Sequence, residues 1–243
     1  MWPELNVVVG GYHVVLSNHA LLVLIGTMLG TYVATRPARL PIGVVLLTVG
    51  AVALGGLYGA RLLYVLQRGG PVRGVAGGMA SFGGIAVGIA LIMLIARVTL
   101  VRAADLFDAI SPAFLVAFGC GRLGCFLGGC CAGAVTGMPW AVVFPALGPA
   151  PRHPLQVYSA LFDFALAWWA IRRGGRPGLV AVRCAAGLGF GRVLLETLRD
   201  PTATDLLWSG GISVPQLCGL LLGLGAVWLG RGLARKPMLA SSA

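Results

Sequence analysis

Apolar residues dominate seven stretches of the chain: Ser17–Thr35, Ile42–Leu66, Met79–Ala96, Leu106–Leu127, Pro154–Ile171, Gly178–Leu198 and Val214–Leu229. Most are close to the roughly 20 residues that a helix needs to cross a bilayer. The pattern predicts an all-α polytopic membrane protein with about seven transmembrane helices. The third stretch is short, and its glycines (Gly83, Gly84, Gly88) predict close helix packing or a partly re-entrant entry. Between the fourth and fifth stretches lies the longest loop, residues 128–153, with MPWAVVFP (Met138–Pro145) followed by GPAPRHPLQVY (Gly148–Tyr158). Its prolines, the β-prone Ala141–Phe144 and Trp140 read as an ordered loop on the outer membrane surface. The Pro-Arg-His-Pro turn fixes the entry to the fifth helix, because proline restricts both itself and its predecessor. The opening MWPELNVVVGGYHVV lacks the basic start of a cleavable signal peptide, and the first span begins after it. With no repeat, linker or second domain, residues 1–243 read as a single integral membrane domain with a disordered tail, Met238–Ala243.

Composition agrees: 58% of residues are apolar, 10% are charged and the mean hydropathy is +0.92, outside the range of soluble domains. The net charge of +11 does not point to nucleic acid. Most arginines end apolar runs, and no basic tract is interleaved with aromatics. Their placement instead reports topology. One set of loops carries Arg36, Arg39, Arg97, Arg102, Arg172, Arg173, Arg176, Arg231, Arg235 and Lys236; the other carries Arg68, Arg73, Arg152 and Arg199. The positive-inside rule makes the first set cytoplasmic, with an outer N-terminus and an inner C-terminus.

Arg61, Arg122, Arg183 and Arg192 break this pattern by falling within the apolar stretches. An arginine in hydrocarbon costs about 2.5–3.5 kcal/mol on the translocon scale. One alone could snorkel to the headgroups. Arg122, however, lies in GCGRLGCFLGGCCAG (Gly119–Gly133), where glycines allow close backbone approach. The stretch reads as a membrane-embedded cage for an anionic group. Few acids are placed to neutralise these cations: Asp163 in the fifth helix and Glu196 four residues beyond Arg192. That spacing puts Arg192 and Glu196 on one helix face, either as a plain ion pair or as a device that orients the guanidinium.

Six cysteines in such a chain are not a disulfide framework. Cys120, Cys125, Cys130 and Cys131 lack the paired spacing of a structural zinc site, so no metal or other cofactor is expected. A disulfide on the oxidising side and simple packing both stay open for them. Cys184 and Cys218 read as packing residues.

Taken together and in order, GARLLYVL, GGMASFGG, GRLGCFLGGCCAG, MPWAVVFP, PRHPLQVY, GFGRVLLETLRDP and VPQL resemble the motif series of the bacterial prolipoprotein diacylglyceryl transferases over nearly the whole chain. The resemblance implies a multi-pass enzyme of the bacterial inner (plasma) membrane. It would move the diacylglyceryl group of phosphatidylglycerol onto the lipobox cysteine of a preprolipoprotein. Its partners would be those two substrates and membrane lipids, with no nucleic acid, and it would work as a monomer. By motif position, Arg122 and Arg192 would bind the lipid phosphate and stabilise it as it leaves, with Glu196 beside Arg192 and Arg61 a further member of the cluster. Arg152 and His153, with Gln156 and Tyr158 beside them, would fix the outer loop or approach the headgroup. Arg199 and Asp200 would form an outer-surface salt bridge.

The chain also departs from the family pattern. Phe82 stands where the third-span motif usually carries a histidine, Cys125 replaces an asparagine, Cys130 and Ser159 replace glutamates, and His19 replaces a tyrosine. These changes remove a base and leave His19 and His153 as replacement candidates. Beside the transferase stand two other readings: the same fold acting on another acceptor or lipid, and a non-catalytic lipid-binding protein.

Overall fold

The computed structural model of the chain describes residues 4–9, 12–35, 40–68, 81–200 and 211–235. Every apolar stretch is a helix: α1 Asn18–Thr35, α2 Ile42–Arg68, α3 Ser81–Thr99, α4 Ala103–Leu127, α5 Leu155–Arg173, α6 Leu179–Glu196 and α7 Val214–Arg235. The third is a full helix of 19 residues. Five of them, α1 to α4 and α7, are long and apolar enough to cross a membrane. The other two, α5 and α6, are less apolar because they carry Asp163, Arg183, Arg192 and Glu196. Leu54, Val98 and Trp228 are more than 70% exposed, as suits the lipid-facing surface of a multi-pass membrane protein.

Lipid tails are as apolar as leucine, so membrane helices associate through close packing of small residues. The α2–α3 pair meets at Gly59 and Gly83. A Cβ on Gly83 would stand 2.6 Å from the Leu63 Cβ and 3.0 Å from the Gly59 carbonyl carbon. Close packing is therefore what the third stretch's glycines provide.

Helix α4 is the axis, packed against α1, α2, α3, α5 and α6. Its Leu106, Ala109, Ile110 and Ala113 share a core with Ala34, Val45, Ile92, Ile95 and Ala96. Further along, Leu115 packs with Leu166, Ala167, Ala170 and Cys184. Asp108 ties α4 to α6, accepting hydrogen bonds from the Gly178 and Ala181 amides at 2.7 and 2.8 Å. Those amides belong to the first turn of a helix, where backbone donors lack intrahelical partners.

Strands appear only outside the helices. Ahead of α1, β1 (Glu4–Val9) and β2 (Tyr12–Ser17) form an antiparallel pair in which Val9 faces Tyr12. The sequence reading assigned no element there. The Gly10-Gly11 link between β-prone runs is a hairpin signal that it passed over. In the long loop, β3 (Val142–Val143) pairs with β4 (Pro151–Arg152), as the β-prone stretch anticipated. Residues 133–136 run between two partners. The Gly133 and Thr136 amides bond to His153 and Pro151 carbonyls at 2.9 and 3.0 Å, and the Ala134 amide bonds to the Leu198 carbonyl at 2.9 Å. The loop thereby binds the end of α4, the start of α5 and the end of α6 together. At the opposite end, Arg172 and Arg173 lie over Trp168 and Trp169, a pairing typical of a membrane interface. Met79, the charges at Arg36, Arg39, Arg73 and Lys236, and the tail from Met238 lie outside the described residues.

Candidate functional site

Three helices bring charge to one place. Arg122 comes from α4, Ser159 and Asp163 from α5, and Arg192 from α6; all line one cleft together with Phe118, Phe162, Leu188 and Leu195. An adjoining cleft shares Phe118, Leu188 and Arg192, and extends past Phe82 and Ile85 of α3 to Leu222 of α7. The two clefts adjoin along a mainly apolar lining into which Arg122, Asp163 and Arg192 bring charge, and each is narrow, with about 20 Å³ of free volume or less.

The two arginines are held differently. Arg192 Nη2 lies 3.2 Å from Glu196 Oε2, and Arg199 Nε lies 3.7 Å from Glu196 Oε1. Glu196 is buried between them, so the i, i+4 ion pair is formed. Arg122 has no such partner among the described residues. Its guanidinium carbon sits 4.8 Å over the Phe118 ring, and its Nε is buried without a hydrogen-bond acceptor. Asp163, whose charge is felt by both Arg122 and Arg192, also has one buried oxygen without a partner. A buried N–H left unpaired on a half-buried guanidinium is costly, and an anion in the cleft would offer it an acceptor.

Residues of the Pro-Arg-His-Pro turn and the start of α5 are engaged in holding the loop. Arg152 Nη1 donates to Asp200 Oδ2 at 2.5 Å and to the Gly133 carbonyl at 3.3 Å. Gln156 Nε2 donates to the Cys130 carbonyl at 2.5 Å. Trp140 Nε1 donates to the Tyr158 hydroxyl at 2.7 Å, and His153 Nδ1 lies 3.4 Å from the same oxygen. Arg199 and Asp200 do not pair with each other but form salt bridges with Glu196 and Arg152 respectively. Arg61 is buried on α2 with its guanidinium 5.6 Å from the Tyr64 ring centroid, and it lines neither cleft. His19 opens α1 at the far end of α4, its Nδ1 3.7 Å from Cys125 Sγ. Gly124 leaves the room for it, since a Cβ there would meet His19 Nδ1 at 2.9 Å.

Three features are added to what the sequence marked. Asp163, read from the sequence as one of the few acids able to neutralise the buried cations, lines the arginine cleft together with Ser159. Phe82 lines the adjoining cleft with Arg192. The Sγ atoms of Cys125, Cys130 and Cys131 converge to within 4.8 Å of one another. Cys131, beyond the end of α4, has its thiol pulled well below the usual range. Hydrogen bonds from the Cys125 and Cys130 side chains contribute most, followed by the positive charges of Arg122 and Arg199.

The sequence profile of the prolipoprotein diacylglyceryl transferase family matches residues 7–230 of the chain. A phosphatidylglycerol–prolipoprotein diacylglyceryl transferase of Rhizobium meliloti (strain 1021) is 32% identical over 209 residues, covering 80% of this chain and 73% of that protein. The protein of the same name from Bordetella avium (strain 197N) is 38% identical over 159 residues, or 63% and 60% of the two chains. The one from Shewanella sp. (strain MR-4) is 34% identical over 157 residues, where this chain spans 59% of the relative's length.

Proposed function

The chain belongs to the prolipoprotein diacylglyceryl transferase family, and on that premise we propose that it moves the diacylglyceryl group of phosphatidylglycerol onto the lipobox cysteine thiol of preprolipoproteins. It works as a single membrane domain in the bacterial inner membrane, with the long loop at the outer face. The observation that carries this reading is the pair Arg122 and Arg192 on one apolar cleft, with Arg122 Nε left without a partner.

In this reading the lipid phosphate sits against the two guanidinium groups, and the acyl chains follow the adjoining cleft past Phe82 and Leu222 toward the bilayer. Glu196 holds one edge of Arg192, which aims its remaining N–H groups instead of consuming them. Hydrogen bonds between charged partners are roughly twice as strong as neutral ones. The acceptor sulfur attacks the glycerol carbon that bears the phosphate, the carbon–oxygen bond breaks, and negative charge grows on the departing phosphate. Donors already in place stabilise that charge without reorganising; losing one such donor typically slows a reaction about 10²–10³-fold. His19 and His153 are the imidazoles near this end of the bundle and the candidates to take the thiol proton.

Incubating the purified protein with phosphatidylglycerol and a lipobox peptide, and following the peptide mass, tests the reading. The expected result is a gain of one diacylglyceryl group. No gain, with an ordinary family member active in parallel, refutes it and turns the search to a different acceptor.

A further inference from the structure

Cys125 lies one turn beyond Arg122 on α4, and the chain then doubles back through Gly129 at φ 72° and Cys131 at φ 60°. A left-handed backbone is strained for a residue with a side chain, and it persists only where its surroundings demand it. Here the turn leaves three sulfurs within 4.8 Å of one another. Sulfurs bound to one ion at about 2.3 Å stand about 3.8 Å apart in a tetrahedral site and about 4.0 Å apart in a trigonal one. The cluster is therefore within a small adjustment of coordination. All three cysteines are free thiols, and Cys130 and Cys131 are exposed, so burial in a packed core does not explain them. Around them lie the supports that a metal site requires. Gln156 Nε2 holds the Cys130 carbonyl, and His19 Nδ1 lies 3.7 Å from Cys125 Sγ.

We propose that Cys125, Cys130 and Cys131 form a three-thiolate site for a thiophilic closed-shell ion, Zn²⁺, whose open fourth position takes the acceptor thiol. The metal site stands by itself; its catalytic part rests on the transferase reading. Thiolate ligands select such ions, and three protein ligands with one open position are the pattern of a catalytic zinc centre. A thiol that joins the coordination loses its proton outright, here to water at the outer surface. Its sulfur then attacks the glycerol carbon. The carbon–sulfur bond forms, the carbon–oxygen bond breaks, and the electron pair leaves on the phosphate oxygen beside Arg122 and Arg192. The neutral thioether is a poorer ligand and departs, leaving the ion unchanged.

Full-length protein in detergent, loaded with Zn²⁺ alone and freed of excess, would be assayed for bound metal and reactive thiols. The expected result is one ion per chain, with Cys125, Cys130 and Cys131 protected relative to the metal-free protein, while Cys120 and Cys184 are buried in either state. Cys125→Ser, Cys130→Ser and Cys131→Ser should each weaken binding about tenfold or more, as losing part of a metal shell does, whereas Cys184→Ser should not. With Co²⁺ as a spectroscopic substitute, a lipobox peptide should alter the thiolate-to-metal absorption and its Cys→Ser counterpart should not. No bound metal with Cys125, Cys130 and Cys131 all reactive, or a disulfide among the three, overturns the site. Because stoichiometry and protection are measured on the unaltered chain, misfolded variants do not decide the matter. Transfer that continues unchanged after chelation overturns the catalytic role alone. Absence of transfer with metal bound, beside an active family member, is instead a failure of the transferase reading.

Discussion

Replacing Arg122 with methionine should separate activity from stability. In the native protein Arg122 is half-buried on the cleft wall, its Nε is buried without an acceptor, and no carboxylate forms an ion pair with it among the described residues. Removing the side chain relieves one buried unpaired N–H on a half-buried cation, and apolar replacements of buried ionic groups are often neutral or stabilising. The main loss is the contact with Phe118, 4.8 Å from the guanidinium carbon. Such a contact is worth about 0.5–2 kcal/mol, and a methionine sulfur against the same ring returns about 0.3–1.5 kcal/mol. The balance is close to zero. At roughly 2–4 °C per kcal/mol for a chain of this size, the thermal midpoint in detergent should move by no more than about 7 °C. Transfer should behave otherwise. Losing the donors to the departing phosphate should slow it at least about 10²–10³-fold, or about 2.7–4 kcal/mol in the transition state. Arg122→Lys keeps the charge but not the planar fork, and should fall between the two. The assay pairs the peptide-mass rate with a thermal inactivation curve on the same preparation. Transfer by Arg122→Met within tenfold of the parent would refute the phosphate assignment. A loss of midpoint well beyond 10 °C would mean that Arg122 is structural.

Phe82→His should leave the fold intact and equal or raise the transfer rate, because position 82 lines a cleft with Arg192; failure to accumulate in the membrane would instead mark Phe82 as packing. Gly83→Val should lower the thermal midpoint, since a Cβ there meets Leu63 and Gly59 at 2.6 and 3.0 Å and overpacking costs about 1–3 kcal/mol. Gly43→Ala, with open space around it, should have little effect and serves as the control. Asp200→Asn should loosen the long loop by weakening its bond to Arg152 across 48 residues, read as faster proteolysis between residues 133 and 153. In metal-free protein the Cys131 thiol, held below its usual range, should remain reactive toward an alkylating reagent as the pH falls below neutrality, when ordinary thiols are protonated. Neutralising Arg122 should move that reactivity profile toward higher pH, and an unchanged profile would show that its charge does not act on the sulfur.

The sequence alone determined the seven helices, because a segment in hydrocarbon must satisfy its own backbone and its character is therefore written in consecutive residues. It also marked Arg122 and Arg192 as anomalies and placed Glu196 on the same face as Arg192, a relation set by helical geometry within one turn. The hairpin ahead of α1 was legible in Gly10-Gly11 but was masked by the apolar run that follows. What the linear pattern could not carry were contacts between elements far apart in the chain. Arg122, Asp163 and Arg192 meet only because α4 packs against both α5 and α6. Arg152 finds Asp200 only because residues 133–136 stitch the ends of those helices together. The three thiols, spaced unlike any zinc motif, converge because a left-handed turn at Cys131 folds the chain back on the end of α4. Side-chain chemistry was local information; its convergence was set by helix packing and by one strained turn.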